Sequence, residues 1–252
     1  NASSVAISTF GKLRQEYVSS KHMARTLVEI GTLQYETKEM AKARQALEEV
    51  AEKHPESKWR ANAEYILGFV SRGENKPDEA IQHFALVANN KGHELAPDAR
   101  FQQGVLLLQK KNFVAAEKTF KQLLVASSDY KKTDEATYSL GQALERQEKW
   151  DEALVEYGKV NGFEKSEWRD NALYQSAWCE LGADRQEKSI EAYGKLLGDF
   201  PESDLFNLAS WELAELEFKA AKYPAAIARM EAVLGKSKGD KEALLRSRMR
   251  YR

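Results

Sequence analysis

The chain has 252 residues, of which 42% are hydrophobic and 31% charged, and its formal net charge at pH 7 is −1. A charge this close to zero argues against nucleic-acid binding, because neutralising phosphates requires an excess of Lys and Arg. No segment approaches the roughly 20 consecutive apolar residues of a membrane helix, and a single cysteine, Cys179, excludes an internal disulfide framework. Five prolines and 14 glycines are few for a protein of strands and tight turns. These values favour a helical protein and exclude several functional classes.

In chain order, a small residue recurs six times at spacings of 36 or 37 residues, and we call these residues the anchors. The anchors are Gly31, Gly68, Gly104, Gly141, Ala177 and Ala214. Each is followed by another small residue after twelve positions, a large one after sixteen and an aliphatic one after nineteen, as in Ala43, Leu47 and Val50. Residues at these separations lie on one helix face. Each repeat therefore predicts two antiparallel helices, A and B, joined by a short turn.

One such hairpin cannot bury its own apolar face, so we expect the hairpins to stack into an all-α solenoid. The pattern predicts a single solenoid domain over 1–252, with an orphan helix B over 3–22 and six repeats over 23–234. For residues 239–252 two interpretations stay open, the start of a further repeat and a terminal capping helix. Because the chain starts at Asn1 without an initiator Met, we expect it to be a fragment of a longer protein.

The repeated columns resemble the tetratricopeptide repeat, in which a small anchor is followed by an alanine and then by an aromatic residue. Phe113, Trp150 and Tyr223, nine residues after their anchors, match the aromatic that commonly opens helix B in that family. The resemblance covers about residues 24–234. It implies a right-handed superhelix of about six and a half hairpins, with a concave groove that receives partner segments.

A narrower resemblance concerns two inter-repeat loops, His54-Pro55-Glu56-Ser57 and Phe200-Pro201-Glu202-Ser203. They are similar to loops of bacterial cell-envelope tetratricopeptide proteins, such as the periplasmic partner of the Tol–Pal system and the assembly lipoprotein of the outer-membrane β-barrel machinery. This resemblance implies a bacterial protein in the periplasm or associated with the envelope, and a cytoplasmic location stays open.

Aromatic residues occupy one column of helix A, three residues before five consecutive anchors. They are Tyr65, Phe101, Tyr138, Tyr174 and Trp211, and Phe69 and Trp178 each follow an anchor by one residue. A neighbouring turn of the same helices adds Tyr35, Arg72, Leu108, Leu181 and Phe218. The resemblance places these positions in the concave groove, and large rigid rings are enriched at binding hot spots. We therefore predict that the seven aromatic residues line a groove for a partner segment.

Two competing interpretations of this aromatic column stay open. The rings are core side chains that pack between neighbouring helices A, or they are half buried and offer their Tyr hydroxyls to the groove. A second motif, Trp-Arg-x-Asn-Ala, occurs at residues 59–63 and again at 168–172. Its Asn62 and Asn171 are either ligands for a peptide backbone or inherited parts of a shared helix start.

The sequence predicts no enzyme, cofactor or metal site. The histidines, His22, His54, His83 and His93, fall at unrelated repeat positions and form no pattern with Cys179. The glycines form no phosphate-binding loop, and Cys179 sits in an apolar helix A column, which predicts a buried, inert thiol.

The leading functional hypothesis is a non-catalytic scaffold that binds a protein or peptide partner, apolar or helical in character, without binding nucleic acid or inserting into a membrane. One alternative is an oligomerising scaffold that self-associates through its ends. Those ends carry Phe10 and Leu13 on one side and Leu244, Leu245 and Met249 on the other. Another alternative is an auxiliary domain of a larger envelope protein.

Overall fold

The computed structural model describes residues 22–236, and within that range the chain forms twelve α-helices and no strands. The helices are α1 (Met23–Glu36), α2 (Met40–Lys53), α3 (Arg60–Gly73), α4 (Pro77–Ala88), α5 (Ala96–Gln109), α6 (Phe113–Ala126), α7 (Thr133–Glu145), α8 (Trp150–Asn161), α9 (Arg169–Gly182), α10 (Gln186–Asp199), α11 (Phe206–Lys219) and α12 (Tyr223–Lys236). Odd numbers are helices A and even numbers are helices B. The prediction of an all-α protein made of helix hairpins is confirmed. The segment 239–252 and, except for His22, the orphan helix over 3–22 lie outside the described residues.

The chain divides into two compact units, Asn1–Lys131 and Lys132–Arg252. Unit 1 contains α1–α6 and unit 2 contains α7–α12. Inside each unit every helix packs against the helix before it and the helix after it, and in unit 1 α1 also contacts α3. The prediction of one solenoid domain over 1–252 stays a prediction. Among residues 22–236, no helix has the length and the apolar composition that crossing a membrane requires.

The anchor glycines allow the large side chain of helix B to lie directly against the backbone of helix A. A Cβ atom on Gly31 would lie 2.5 Å from Cγ of Leu47, and one on Gly141 would lie 2.6 Å from Cε1 of Tyr157. Gly68 and Gly104 face the rings of Phe84 and Phe120 in the same way. These helix B side chains are fully buried. The small residue and the large residue sixteen positions later are therefore two halves of one contact.

The turn between helices A and B contains one residue in the left-handed backbone region, always seven positions after the anchor. These residues are Lys38, Asn75, Lys111, Glu148, Asp184 and Ala221, with φ between 58° and 63°. The turn closes with backbone hydrogen bonds, such as those from Lys38 N to Tyr35 O (2.9 Å) and from Glu39 N to Gln34 O (2.7 Å). A left-handed residue at this position ends helix A and reverses the chain within a few residues.

In two inter-repeat loops, a serine hydroxyl accepts a backbone hydrogen bond just before the next helix A begins. Ser57 Oγ accepts a hydrogen bond from the backbone N–H of Trp59 at 3.2 Å, and Ser166 does the same for Trp168 at 3.1 Å. This shared turn explains why the sequence around Trp59 recurs at Trp168.

Candidate functional site

In unit 1 the helix A face carries a cluster of partly exposed rings on α3. Tyr65 and Phe69 lie edge to face, with ring centroids 5.0 Å apart and an interplanar angle of 82°. Both rings also contact Phe84 of α4, at 5.7 and 5.1 Å between centroids. Because Phe84 is fully buried, it holds one side of each ring in a fixed orientation while the other side stays accessible.

Two neighbouring side chains extend this cluster. The ring of Tyr35 lies 6.3 Å from that of Phe69, and the guanidinium of Arg72 lies 5.0 Å from the centroid of the Phe69 ring. Arg72 also donates a hydrogen bond to Gln102 Oε1 at 3.0 Å. Burial, with a contribution from the charge of Asp98, raises the pKa of Tyr65 to about 12. The face in unit 1 is therefore aromatic, carries one cation and offers a phenol that stays protonated at neutral pH.

In unit 2 the predicted groove residues are Tyr174 and Trp178 on α9 and Trp211 on α11. The ring of Tyr174 lies 5.6 Å from the fully buried ring of Tyr193, in an edge-on arrangement. Burial raises the pKa of Tyr174, and a hydrogen bond from Trp178 partly opposes this effect. Trp178 is 43% exposed, whereas Tyr174 and Trp211 are half-buried. Unit 2 thus repeats the arrangement of unit 1, in which a buried helix B ring supports an accessible helix A ring.

Phe101 and Tyr138 differ from the other members of the column, because they are only 3% and 5% exposed. Phe101 lies between the rings of Phe120 and Tyr130, each 6.1 Å away. Tyr138 stacks on Trp168, with centroids 4.8 Å apart and an interplanar angle of 25°. Both rings therefore lie in the core and leave little surface to a ligand, which favours the core interpretation for these two members of the column.

Sequence reasoning missed Glu145, which stands four residues after its anchor, in the column of Tyr35, Arg72, Leu108, Leu181 and Phe218. Its Oε2 accepts a hydrogen bond from the Tyr157 hydroxyl at 2.6 Å. Burial raises the pKa of Glu145, and the hydrogen bond from Tyr157 and the charge of Arg146 oppose the effect. The signal available in the sequence was a lone carboxylate in a column that is otherwise aromatic, aliphatic or cationic.

The two Asn residues of the duplicated motif do not behave as a pair. Asn171 Nδ2 donates a hydrogen bond to Asp170 Oδ1 at 3.1 Å, which commits part of its amide to its own helix start. Together with the serine turns before Trp59 and Trp168, this favours a shared helix start as the reason for the duplication.

Two of the residues considered for catalysis, His83 and Cys179, have structural environments. His83 Nδ1 lies 2.7 Å from Glu64 Oε2, which pairs α3 with α4. Cys179 is fully buried. Burial first, and then the charge of Glu145, raise the pKa of its thiol to about 12, so the thiol stays protonated and unreactive at neutral pH. Within residues 22–236 no group of three or more His, Cys, Asp or Glu side chains has an arrangement that could hold a metal ion.

Comparison with protein families identifies the repeat. Two family profiles, each described as the tetratricopeptide repeat, match the chain, one at residues 72–131 and the other at residues 25–57 and 171–203. Together the matched segments cover half of the 252 residues. The chain is a tetratricopeptide-repeat protein, which confirms the resemblance of the repeated columns to that family.

Solved structures agree with this assignment. The chain is 20% identical to YrrB, described as a tetratricopeptide-repeat protein with an unusual peptide-binding site, with a TM-score of 0.64 over 79% of this chain and 96% of that one. It is 19% identical to MamA from Desulfovibrio magneticus RS-1, with a TM-score of 0.58 over 69% and 93% of the two chains. It is 11% identical to a tetratricopeptide-repeat protein from Parabacteroides merdae, with a TM-score of 0.56 over 93% and 87%. At these identities the likeness establishes the fold. No curated protein sequence matches the chain.

Proposed function

We propose that this chain is a non-catalytic scaffold in which the helix A face of a unit binds an apolar or helical segment of a protein partner. Tetratricopeptide folds support protein interaction. One observation carries the particular assignment: accessible rings on helix A rest on buried rings of helix B, Tyr65 on Phe84 and Tyr174 on Tyr193. Rings that are already fixed lose little conformational entropy when a partner binds, which is a property of binding hot spots.

The proposed contact residues are Tyr65 and Phe69 in unit 1 and Tyr174, Trp178 and Trp211 in unit 2. Trp178 is the most informative of these for a test because it is the most exposed of the seven rings predicted from the sequence. YrrB, which shares the fold, is described as having a peptide-binding site, and this supports a peptide segment as the kind of ligand.

Selection of a phage-displayed library of random 12-residue peptides on the purified chain tests this proposal. The most enriched peptide is then labelled with fluorescein and titrated against the Phe69→Ala and Trp178→Ala variants. We expect the Kd to rise at least about tenfold in the variant of the unit to which that peptide binds. Val155→Ala is the matched control, because Val155 is an exposed apolar side chain on helix B of unit 2, and its Kd should stay unchanged. Failure to enrich any peptide, or equal losses in all three variants, contradicts the proposal.

Self-association is a second candidate function, supported by an apolar surface on the last hairpin. Phe218, Tyr223 and Ile227 are each at least half exposed, and the rings of Phe218 and Tyr223 lie 5.2 Å apart. The residues on which the sequence argument rested, such as Phe10 and Leu244, lie outside the described residues. Light scattering over a hundredfold range of protein concentration tests this second function. A molecular mass that stays at the monomer value excludes self-association.

We further propose that the protein belongs to the bacterial cell envelope, in the periplasm, on the strength of the loops at residues 54–57 and 200–203. Whether it acts there as an auxiliary domain of a larger envelope protein is part of the same proposal. Fractionation of cells that express the full-length gene product tests it. Recovery in the cytoplasmic fraction contradicts an envelope role.

A further inference from the structure

We propose that Glu145 and the neighbouring Trp178 form a site for a Lys or Arg side chain of the partner segment, within unit 2. This inference rests on the proposed function, because it assigns a charge preference to part of the same helix A face. It adds a ligand class that an aromatic column does not predict.

The carboxylate of Glu145 is held in place from the side of helix B. Tyr157 is fully buried, and its hydroxyl donates to Glu145 Oε2 at 2.6 Å. Burial raises the pKa of Tyr157 far above its usual range, so this donor keeps its proton. Glu145 is only partly exposed. The hydrogen bond from Tyr157 therefore fixes the position of the carboxylate before a ligand binds.

Glu145 is also the last residue of α7. The C-terminal end of a helix carries a partial negative charge, because its final carbonyl groups have no partner within the helix. A carboxylate at that end adds charge of the same sign. The local potential therefore favours a cation.

The described residues supply no ion-pair partner for this carboxylate. Two other partly or fully buried carboxylates of unit 2 have one: Glu217 accepts two hydrogen bonds from Arg229, at 3.0 and 3.1 Å, and Glu180 is paired with Arg185. Arg146, next to Glu145 in the chain, lowers its pKa without forming an ion pair. A desolvated carboxylate without a cation attracts a charged ligand group more strongly than an exposed one does.

Trp178 supplies the second half of the site. Glu145 stands four residues after its anchor and Trp178 one residue after the next anchor, the same repeat positions as Tyr35 and Phe69 in unit 1, whose rings lie 6.3 Å apart. The indole of Trp178 is 43% exposed. The face of an indole attracts a cation within about 6 Å of the ring centroid. A Lys or Arg side chain can therefore contact both the carboxylate and the ring.

The corresponding position in the second repeat carries the opposite charge. Arg72 stands four residues after Gly68, as Glu145 does after Gly141. Arg72 is already engaged with Phe69 and Gln102. The preference for a basic residue therefore belongs to the helix A face of unit 2.

The test compares peptide selections on the wild-type chain, on Glu145→Gln and on Glu164→Gln. The amide oxygen that Glu145→Gln introduces can still accept from Tyr157, so the fold is expected to persist, and circular dichroism checks this. Glu164 is an exposed loop carboxylate of the same unit and serves as the matched control. With a phage-displayed random 12-residue library, we expect the wild type and Glu164→Gln to enrich peptides with a Lys or Arg near an apolar residue. Glu145→Gln should enrich the apolar residue without the basic one.

The strength of the pairing is then measured with one enriched peptide and its Lys→Met or Arg→Met version. We expect this replacement to weaken binding to the wild type about tenfold, and to weaken binding to Glu145→Gln less than about twofold. Equal losses on both proteins, or a wild-type selection without basic residues, overturn the assignment of Glu145 while leaving the scaffold proposal standing. A wild-type selection that enriches no peptide overturns both.

Discussion

At the scale of single residues, the contact between Gly141 and Tyr157 shows how one missing side chain sets the distance between two helices. A Cβ atom at position 141 would lie 2.6 Å from the ring of Tyr157. That ring is fully buried and its hydroxyl donates a hydrogen bond to Glu145, so the ring cannot easily move away. We expect Gly141→Ala to lower the free energy of unfolding by about 1–3 kcal/mol, because the hairpin must open to admit the methyl group. Urea denaturation followed by circular dichroism measures this.

Gly158 provides the matched control for this substitution. It lies in α8 of the same hairpin, and a Cβ atom there would meet nothing within 4 Å. Gly158→Ala should therefore raise the free energy of unfolding by about 0.5–1 kcal/mol, since alanine has the higher helix propensity. Equal effects of the two substitutions would show that close packing does not explain the anchor column.

The raised pKa of Glu145 predicts the direction in which the free energy of unfolding changes with pH. Because its pKa is raised in the folded protein, the folded state binds a proton more tightly than the unfolded state does. Its contribution to stability is complete below the unfolded-state pKa and is lost as the pH rises through the folded-state pKa. We therefore expect the free energy of unfolding of the wild type to fall, relative to that of Glu145→Gln, as the pH rises from about 4 to about 8. Urea titrations across this range test it, and parallel pH profiles of the two proteins would contradict it.

At the scale of secondary-structure elements, the turn between helices A and B depends on a left-handed residue that is never glycine in the described part of the chain. Lys111 and Glu148 adopt this left-handed conformation although it is sterically unfavourable for a residue that carries a Cβ atom. We expect Lys111→Gly and Glu148→Gly each to raise the free energy of unfolding by about 0.5–1 kcal/mol. Asn75→Gly should change it much less, because Asn tolerates the left-handed region. Urea denaturation measures all three, and a loss of stability in the first two variants would show that the entropy of the unfolded chain outweighs the relieved strain.

At the scale of the whole molecule, the helices of each unit contact mainly their neighbours in the chain. In such a stack, stability is close to a sum of nearest-neighbour terms, so a local defect should weaken with distance. Leu47→Ala in α2 removes a fully buried side chain, a change that costs about 2–5 kcal/mol. We expect amide hydrogen exchange to accelerate most in α1–α3 and least in α5 and α6. Val125→Ala, at an exposed position of α6, should leave the exchange unchanged.

Uniform acceleration across α1–α6 after Leu47→Ala would instead show that unit 1 unfolds as one cooperative body. The prediction concerns unit 1 by itself, where each helix is in contact with the next. Hydrogen exchange in the Leu47→Ala variant therefore measures how strongly the stability of one hairpin depends on the next.

The aromatic column shows how far prediction from sequence reached in the candidate site. Periodicity placed all the rings on helix A, but their exposure depends on side chains from the loops. Trp168 covers Tyr138 and Tyr130 covers Phe101, and both covering residues lie in loops between helix B of one repeat and helix A of the next. The position of Trp168 is taken by Leu95 in the loop that precedes α5. Leu95 packs against the cluster that Tyr65 also borders, and Tyr65 stays partly exposed there.

The sequence by itself determined the repeat and the helix hairpins. The repeat is visible in the sequence because the same residue types recur at fixed separations in all six units. The tertiary structure decided which rings are accessible, and it brought Tyr157 and Glu145 together from two helices of unit 2. Burial and the pairing of charges depend on what the neighbouring elements supply at each point, and a column of similar residues does not contain that information.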